Sequence, residues 1–241
     1  MKYVIFFGLL FHFCNLVPAA AAVRTLQIRS ITEAKRVLEL ADEDTLVVFD
    51  LIDTLLRSFP TDYNPKLKPN LSQPFKQDTE QDVQLSLRMI EGTRELVEPI
   101  MKTVISKLQQ RKIKVIGLSH YLVGNYGVIS SIQLWRYLQL LRTGVDLSAS
   151  FGKKAINLVH LAPYKGLFPQ YYNGLLFTNG HSKGDALKGF LETINWKPKK
   201  IIAFDDNLQY LQSVGSYAEE AHINFAGYYY VAVNKKPLNV F

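Results

Sequence analysis

Several short apolar runs in this chain stop abruptly at a polar side chain. "TLVVFD" ends at Asp50, "IKVIGLS" at Ser119 and "KKIIAFDD" at Asp205–Asp206. Runs this short, rich in β-branched and aromatic residues, read as strands buried on both faces. "NGLLFTNG" and the closing "NFAGYYYVAV" have the same character. Strands of this kind alternating with helical stretches predict an α/β domain. The expected architecture is three-layered and Rossmann-like, a mostly parallel sheet with helices on both faces. Ligands bind such sheets beyond the carboxyl ends of the strands, which is where the polar residues fall.

The helical stretches carry their own signals. "SITEAKRVLELADEDT" opens with a capping box, Ser30 and Glu33, and puts Ile31, Ala34, Val37, Leu38 and Ala41 on one face. A second pattern begins at Asp82, pauses near Gly92 and resumes through "RELVEPIMKTVISKLQQRK", with Pro99 as a kink or restart. "SSIQLWRYLQLLRTG" spaces Ile132, Trp135, Leu138 and Leu141 for burial, and "KGDALKGFLETI" and "NLQYLQSVGSYAEEA" follow. The segment from Arg57 to about Gln81 is rich in Pro, Asn, Lys and Ser and reads as a loop. A small cap-like insertion over about 58–92 is the larger reading of that region.

Residues 1–22 stand apart. A basic start at Lys2, an apolar run from Val4 to Val17 and small residues from Ala19 to Ala22 have the order of a secretory signal peptide. A membrane anchor is the alternative, but His12, Asn15 and Pro18 interrupt a run already short of the roughly 20 residues a spanning helix needs. The expectation is export to the periplasm or beyond, leaving 23–241 as a single domain large enough for a full core. Cys14 is the only cysteine, so cleavage removes disulfides, thiol nucleophiles and thiolate metal sites from consideration. Losing Lys2 takes the formal charge from +7 to +6. The excess is scattered in pairs such as Lys153–Lys154 and Lys199–Lys200. With no basic–aromatic stripe, nucleic acid is not an expected partner. A solvated surface or a weak attraction to anionic surfaces accounts for the excess.

The strand-end residues make chemical sense together. A carboxylate such as Asp50 can attack phosphorus. Hydroxyl and ammonium groups such as those of Ser119 and Lys183 can hold the charge that develops on the phosphoryl oxygens. Asp205 and Asp206, with Asp50, offer the oxygen ligands that magnesium prefers. Each residue also has a plainer reading, as a helix cap or a turn former.

In this order, Asp50 in "VVFDLIDT", Ser119 in "VIGLS", Lys183 in "NGHSKGDAL" and Asp205–Asp206 in "IIAFDDN" resemble motifs one to four of the haloacid dehalogenase superfamily. The resemblance spans about residues 44–233. The stretch "NGLLFTNGHSKGDALKGFL…KKIIAFDDNLQYLQSV" further resembles a group of secreted phosphatase-like members from intracellular bacteria. The resemblance implies a phosphatase acting on a phosphorylated substrate, with Asp50 as nucleophile and magnesium ligand, and Thr54 and Ser119 contacting phosphate. It also implies that Lys183 is the motif-three lysine, with Lys188 as fallback, and that magnesium is held by Asp50, the backbone carbonyl of Ile52, Asp205 and Asp206.

One departure matters. Members of that superfamily usually carry a second aspartate two residues after the nucleophile, as proton donor, and this chain has Ile52 there. Asp53 is one position away; adjacent side chains in extended backbone point to opposite faces, which favours a turn-capping role for it, while a tight turn that does not alternate leaves it open as a substitute acid. Losing such an acid costs roughly 10²–10⁴-fold in rate. A weak enzyme is therefore expected, with a catalytically impaired binding or effector module as the alternative.

Overall fold

The computed structural model describes residues 25–57, 79–92 and 94–233. The signal-peptide segment and most of the cap-like insertion lie outside them. Eight strands form one sheet: β1 (Thr25–Ile28), β2 (Thr45–Phe49), β3 (Lys114–Ser119), β4 (Ala155–Asn157), β5 (Gln170–Tyr172), β6 (Leu175–Phe177), β7 (Lys200–Asp205) and β8 (Asn224–Tyr230). Their spatial order is β1-β8-β7-β2-β3-β6-β5-β4. From β1 to β6 every neighbouring pair is parallel, and β5 and β4 add an antiparallel edge. The architecture is α/β and Rossmann-like, as the sequence pattern leads one to expect.

Strand alternation sorts the core into two layers. On β2, Val47 and Phe49 face one side and Leu46 and Val48 the other, and on β7 Ile202 and Phe204 oppose Ile201 and Ala203. The first side packs against α1 (Lys35–Glu39), α2 (Glu80–Glu91), α3 (Met101–Gln110) and α4 (Ile132–Arg142). The second packs against α5 (Lys183–Thr193) and α6 (Leu208–Glu220). The six-residue-or-shorter central strands are apolar on both faces because both are covered. Tyr171 of β5 stacks on Phe190 of α5 with ring centroids 4.7 Å apart, extending the second layer to the antiparallel edge.

Several local expectations are met and several are corrected. The Ser30–Glu33 capping box forms, and Glu98 reinforces it by accepting from Ser30 Oγ and the Ile31 N–H. The turn it starts is a 3₁₀ helix over Ile31–Ala34 that passes into the short α1. The pattern around Pro99 restarts rather than kinks. Leu96 bridges Leu56, and the Val97 N–H donates to the Leu55 carbonyl, so α3 begins only at Met101. In α4 Ile132 is buried and Trp135 and Leu141 pack partly buried against the core, as expected, but Leu138 is 42% exposed, and Gln133, Arg136, Tyr137, Gln139 and Leu140 are the other buried positions. The Arg136 guanidinium lies over the Trp135 and Tyr121 rings, at 4.4 and 5.1 Å. Aromatic faces stabilise a buried cation at a position that hydropathy alone assigns to water. Of the insertion, 79–92 holds α2, whose Leu85 and Met89 join the main core.

Candidate active site

The chain crosses the sheet so that β2 lies between β3 and β7. Asp50 immediately follows β2, Ser119 ends β3, and Asp205 ends β7. The Asp50 N–H donates to the Phe204 carbonyl at 2.9 Å, which continues the ladder one residue past the strand and fixes Asp50 against β7. Asp205 is held in turn by the Asn207 N–H, which donates to its Oδ1 at 2.9 Å. Asn207 is itself the N-cap of α6, accepting from the Gln209 and Tyr210 N–H groups. The sequence "FDDN" thus places two carboxylates and a cap in four residues.

Lys183 joins the two strands. It is the first residue of α5, just after the N-cap Ser182, and its side chain is 1% exposed. Its Nζ donates to Asp50 Oδ1 at 2.5 Å and to Asp205 Oδ2 at 2.6 Å. The start of α5 is set by a close approach to α6. The Gly184 N–H donates to Ser213 Oγ at 2.7 Å, and a Cβ at Gly184 would lie 2.2 Å from the Ser213 carbonyl oxygen. Only glycine permits that approach. Lys188, the fallback for Lys183, lies away from this centre and pairs with Glu220 at 2.6 Å.

Asp50, Asp205 and Asp206 each bring a carboxylate oxygen within 4.8 Å of the others. Burial raises Asp205 to about 7; the Lys183 charge opposes this and the Asp50 charge adds to it. Burial raises Asp206 to about 8, with the charges of Asp50, Asp205 and Asp53 pushing the same way. Burial would depress Lys183, but the charges of Asp50 and Asp205 outweigh it and hold the ammonium above its ordinary value. Like charges packed this tightly raise one another's pKa. A hard divalent cation would relieve that repulsion, and three carboxylates are the donor set such an ion takes.

The residues that follow Asp50 behave differently. Ile52 is partly buried and packs against the core, forming a bridge with Leu56. Asp53 has φ 63°, a left-handed conformation that asparagine and aspartate tolerate better than most residues. Its N–H donates to the Leu56 carbonyl at 2.8 Å. The backbone therefore does not alternate as an extended strand here, and the Asp53 charge reaches Asp206. Thr54 is fully buried, and its Oγ1 has no hydrogen-bond partner among the described residues. Ser119 is buried at the end of β3, and its carbonyl accepts from the Thr178 N–H.

Two aromatic residues complete the site. Tyr210 lies with its ring 4.8 Å from Lys183 Nζ, and His120 packs on Tyr210 at 4.8 Å between ring centroids. His120 Nδ1 is 3.0 Å from Thr178 Oγ1. Burial lowers the His120 pKa and the Lys183 charge lowers it further. Tyr210 escapes a motif search because a tyrosine in the first turn of an amphipathic helix reads as core. Its signal is its place, five residues after Asp205. His181 donates to or accepts from no carboxylate in this set; its Nε2 is 2.7 Å from the Ala162 carbonyl oxygen.

A family described as "Protein of unknown function (DUF2608)" matches residues 27–240. The chain belongs to this family. An uncharacterized protein of Rickettsia bellii is 24% identical over 233 residues, covering 89% of this chain and 80% of that relative. A Rickettsia felis protein is 28% identical over 143 residues, 57% of this chain and 48% of its own length. A Chlamydia pneumoniae protein whose name provisionally assigns it to the outer membrane is 24% identical over 243 residues, 90% of this chain and 81% of the relative. Among the described residues, no helix is long and apolar enough to cross a membrane.

Proposed function

We propose that this chain is an exported magnesium-dependent phosphatase of the haloacid dehalogenase type, acting through an aspartyl-phosphate on Asp50. The observation that carries the reading is the convergence of Asp50, Lys183 and Asp205 within 2.6 Å contacts at the carboxyl edge of the sheet, although they are up to 155 residues apart (205 − 50). Lys183 holds Asp50 Oδ1 and neutralises it, which leaves Oδ2 to attack phosphorus in line. Ser119, at the end of β3, and Thr54, in the turn after β2, are the hydroxyl residues assigned to phosphate. Asp50, the Ile52 carbonyl, Asp205 and Asp206 would hold magnesium, which supplies charge neutralisation at the phosphoryl oxygens when bound. Export agrees with the signal-like residues 1–22 and with the outer-membrane name of the Chlamydia pneumoniae relative.

Ile52 favours a second reading. Its side chain faces the core and carries no proton, so a fold that binds phosphate without turning it over would look the same at the other positions. Hydrolysis of an aryl phosphate with and without magnesium separates the two. The phosphatase reading expects slow magnesium-dependent turnover, none in Asp50→Asn, and a gain in Ile52→Asp. Absence of turnover in all three proteins would leave the binding module.

A further inference from the structure

The wall beside the nucleophile, rather than the nucleophile itself, says which esters fit. Tyr210 is half-buried, with its ring 4.8 Å from the ammonium that grips Asp50. The His120 ring packs on Tyr210 at 4.8 Å between centroids, tilted by 38°. Leu208, at the start of the same helix, is 42% exposed. The Asp50–Lys183 pair is thus flanked by an aromatic pair, Tyr210 and His120. Independently, position 52 holds an isoleucine packed on the core, where a proton donor to the leaving group is expected.

Resting on the phosphatase reading, we propose that the substrate is an aryl phosphate monoester, its ring stacked on the Tyr210–His120 wall and its phenolate leaving without protonation. The two observations point the same way. A phenol is acidic, with a pKa near 10 for tyrosine, so its oxyanion departs without the acid that an alkyl alcohol requires. Aromatic faces reward a planar leaving group in offset or tilted contact. His120, whose pKa burial and the Lys183 charge lower, supplies the second ring of the wall.

The step balances. Asp50 Oδ2 forms a bond to phosphorus as the phosphorus–aryl oxygen bond breaks, and the electron pair leaves on the phenolate. Water then attacks phosphorus, the Asp50–phosphorus bond breaks, and Asp50 returns as carboxylate. Inorganic phosphate leaves, and the proton released from water neutralises the phenolate in solvent. No oxidant or further reactant enters.

Calorimetry with two unreactive probes, phenylphosphonate and methylphosphonate, tests the wall on the magnesium-loaded chain. Phenylphosphonate is expected to bind about three- to tenfold tighter, and His120→Ala should remove part of that preference. Hydrolysis should favour phenyl phosphate over glycerol phosphate by at least about 10²-fold, the low end of what a missing acid costs. Phosphotyrosine in peptides and small aryl phosphates share this chemistry; comparing a phosphotyrosyl peptide with phenyl phosphate identifies the source. Equal affinities, no binding of either phosphonate, or glycerol phosphate cleaved as fast as phenyl phosphate overturns the proposal. Selective phenylphosphonate binding without turnover of any ester would instead keep the aromatic site and remove the phosphatase reading.

Discussion

Replacing Lys183 with methionine removes the ammonium held 2.5 Å from Asp50 and 2.6 Å from Asp205, while keeping most of the side-chain volume. What is lost is charge. Removing one partner of a buried pair costs about 3–5 kcal/mol, because the other charge stays buried. Here two carboxylates are left, with Asp206 alongside, and each can escape by taking up a proton. Asp205 and Asp206 are already raised to about 7 and about 8, chiefly by burial. A carboxyl whose folded pKa exceeds its unfolded value binds more protons in the native state. Its contribution is complete below about pH 4 and is lost as pH climbs through 7–8. Without Lys183 the carboxylates rise further, so the penalty grows with pH. The expected loss in chelator is about 1–2 kcal/mol at pH 5, the scale of an unsatisfied buried polar group, and about 3–5 kcal/mol at pH 8.5. Urea unfolding followed by the fluorescence of Trp135 and Trp196 measures it. Thermal midpoints at the higher pH should fall by roughly 6–20 °C for a domain of this size. A penalty below about 1 kcal/mol at pH 8.5, or one equal at both pH values, would refute the reasoning.

Two further outcomes follow from the same geometry. Magnesium must displace protons from Asp205 and Asp206, so its affinity should rise between pH 6 and 8.5 with proton release visible by calorimetry in buffers of different ionisation enthalpy; a flat profile contradicts the assigned ligands. Gly184→Ala places a Cβ 2.2 Å from the Ser213 carbonyl oxygen, and relief requires α5 to move off α6. The cost should be about 1–3 kcal/mol, and magnesium affinity should change with it because Lys183 is the neighbouring residue; an unchanged stability would mean the helices adjust freely.

The strand ends were the legible part of this chain. Asp50, Ser119 and Asp205 each close an apolar run, and a parallel sheet buried on both faces leaves only its edge for polar side chains. Ser30 was equally readable as a cap, and the structure adds Ser131, Ser182 and Asn207, each of which precedes its helix and accepts from its first turn. Other features needed the third dimension. β1, β4 and β5 have three or four residues each, too short for periodicity to register, and they exist because neighbouring strands offer unpaired edges. On α4 Ile132, Trp135 and Leu141 pack on the core as their spacing indicated, whereas Leu138 is exposed and Arg136, stabilised by Trp135 and Tyr121, is buried, a pairing invisible to hydropathy. Tyr210 entered the site through the packing of α6 against α5, and its place five residues after Asp205 was the one signal in the sequence. For Asp53 the sequence left strand alternation and a tight turn both open; its left-handed backbone decides for the turn, and its charge reaches Asp206.

The central claim is that Asp50 carries the phosphoryl group. Mixing the chain with acetyl phosphate and magnesium, quenching in acid within milliseconds to seconds, and mapping the peptides by mass spectrometry tests it most directly. A single phosphoryl group on the peptide containing Asp50, absent in Asp50→Asn and accumulating because Ile52 supplies no acid–base assistance to its hydrolysis, is the predicted result. No phosphoryl group at any time point, or one that persists in Asp50→Asn, would contradict the account.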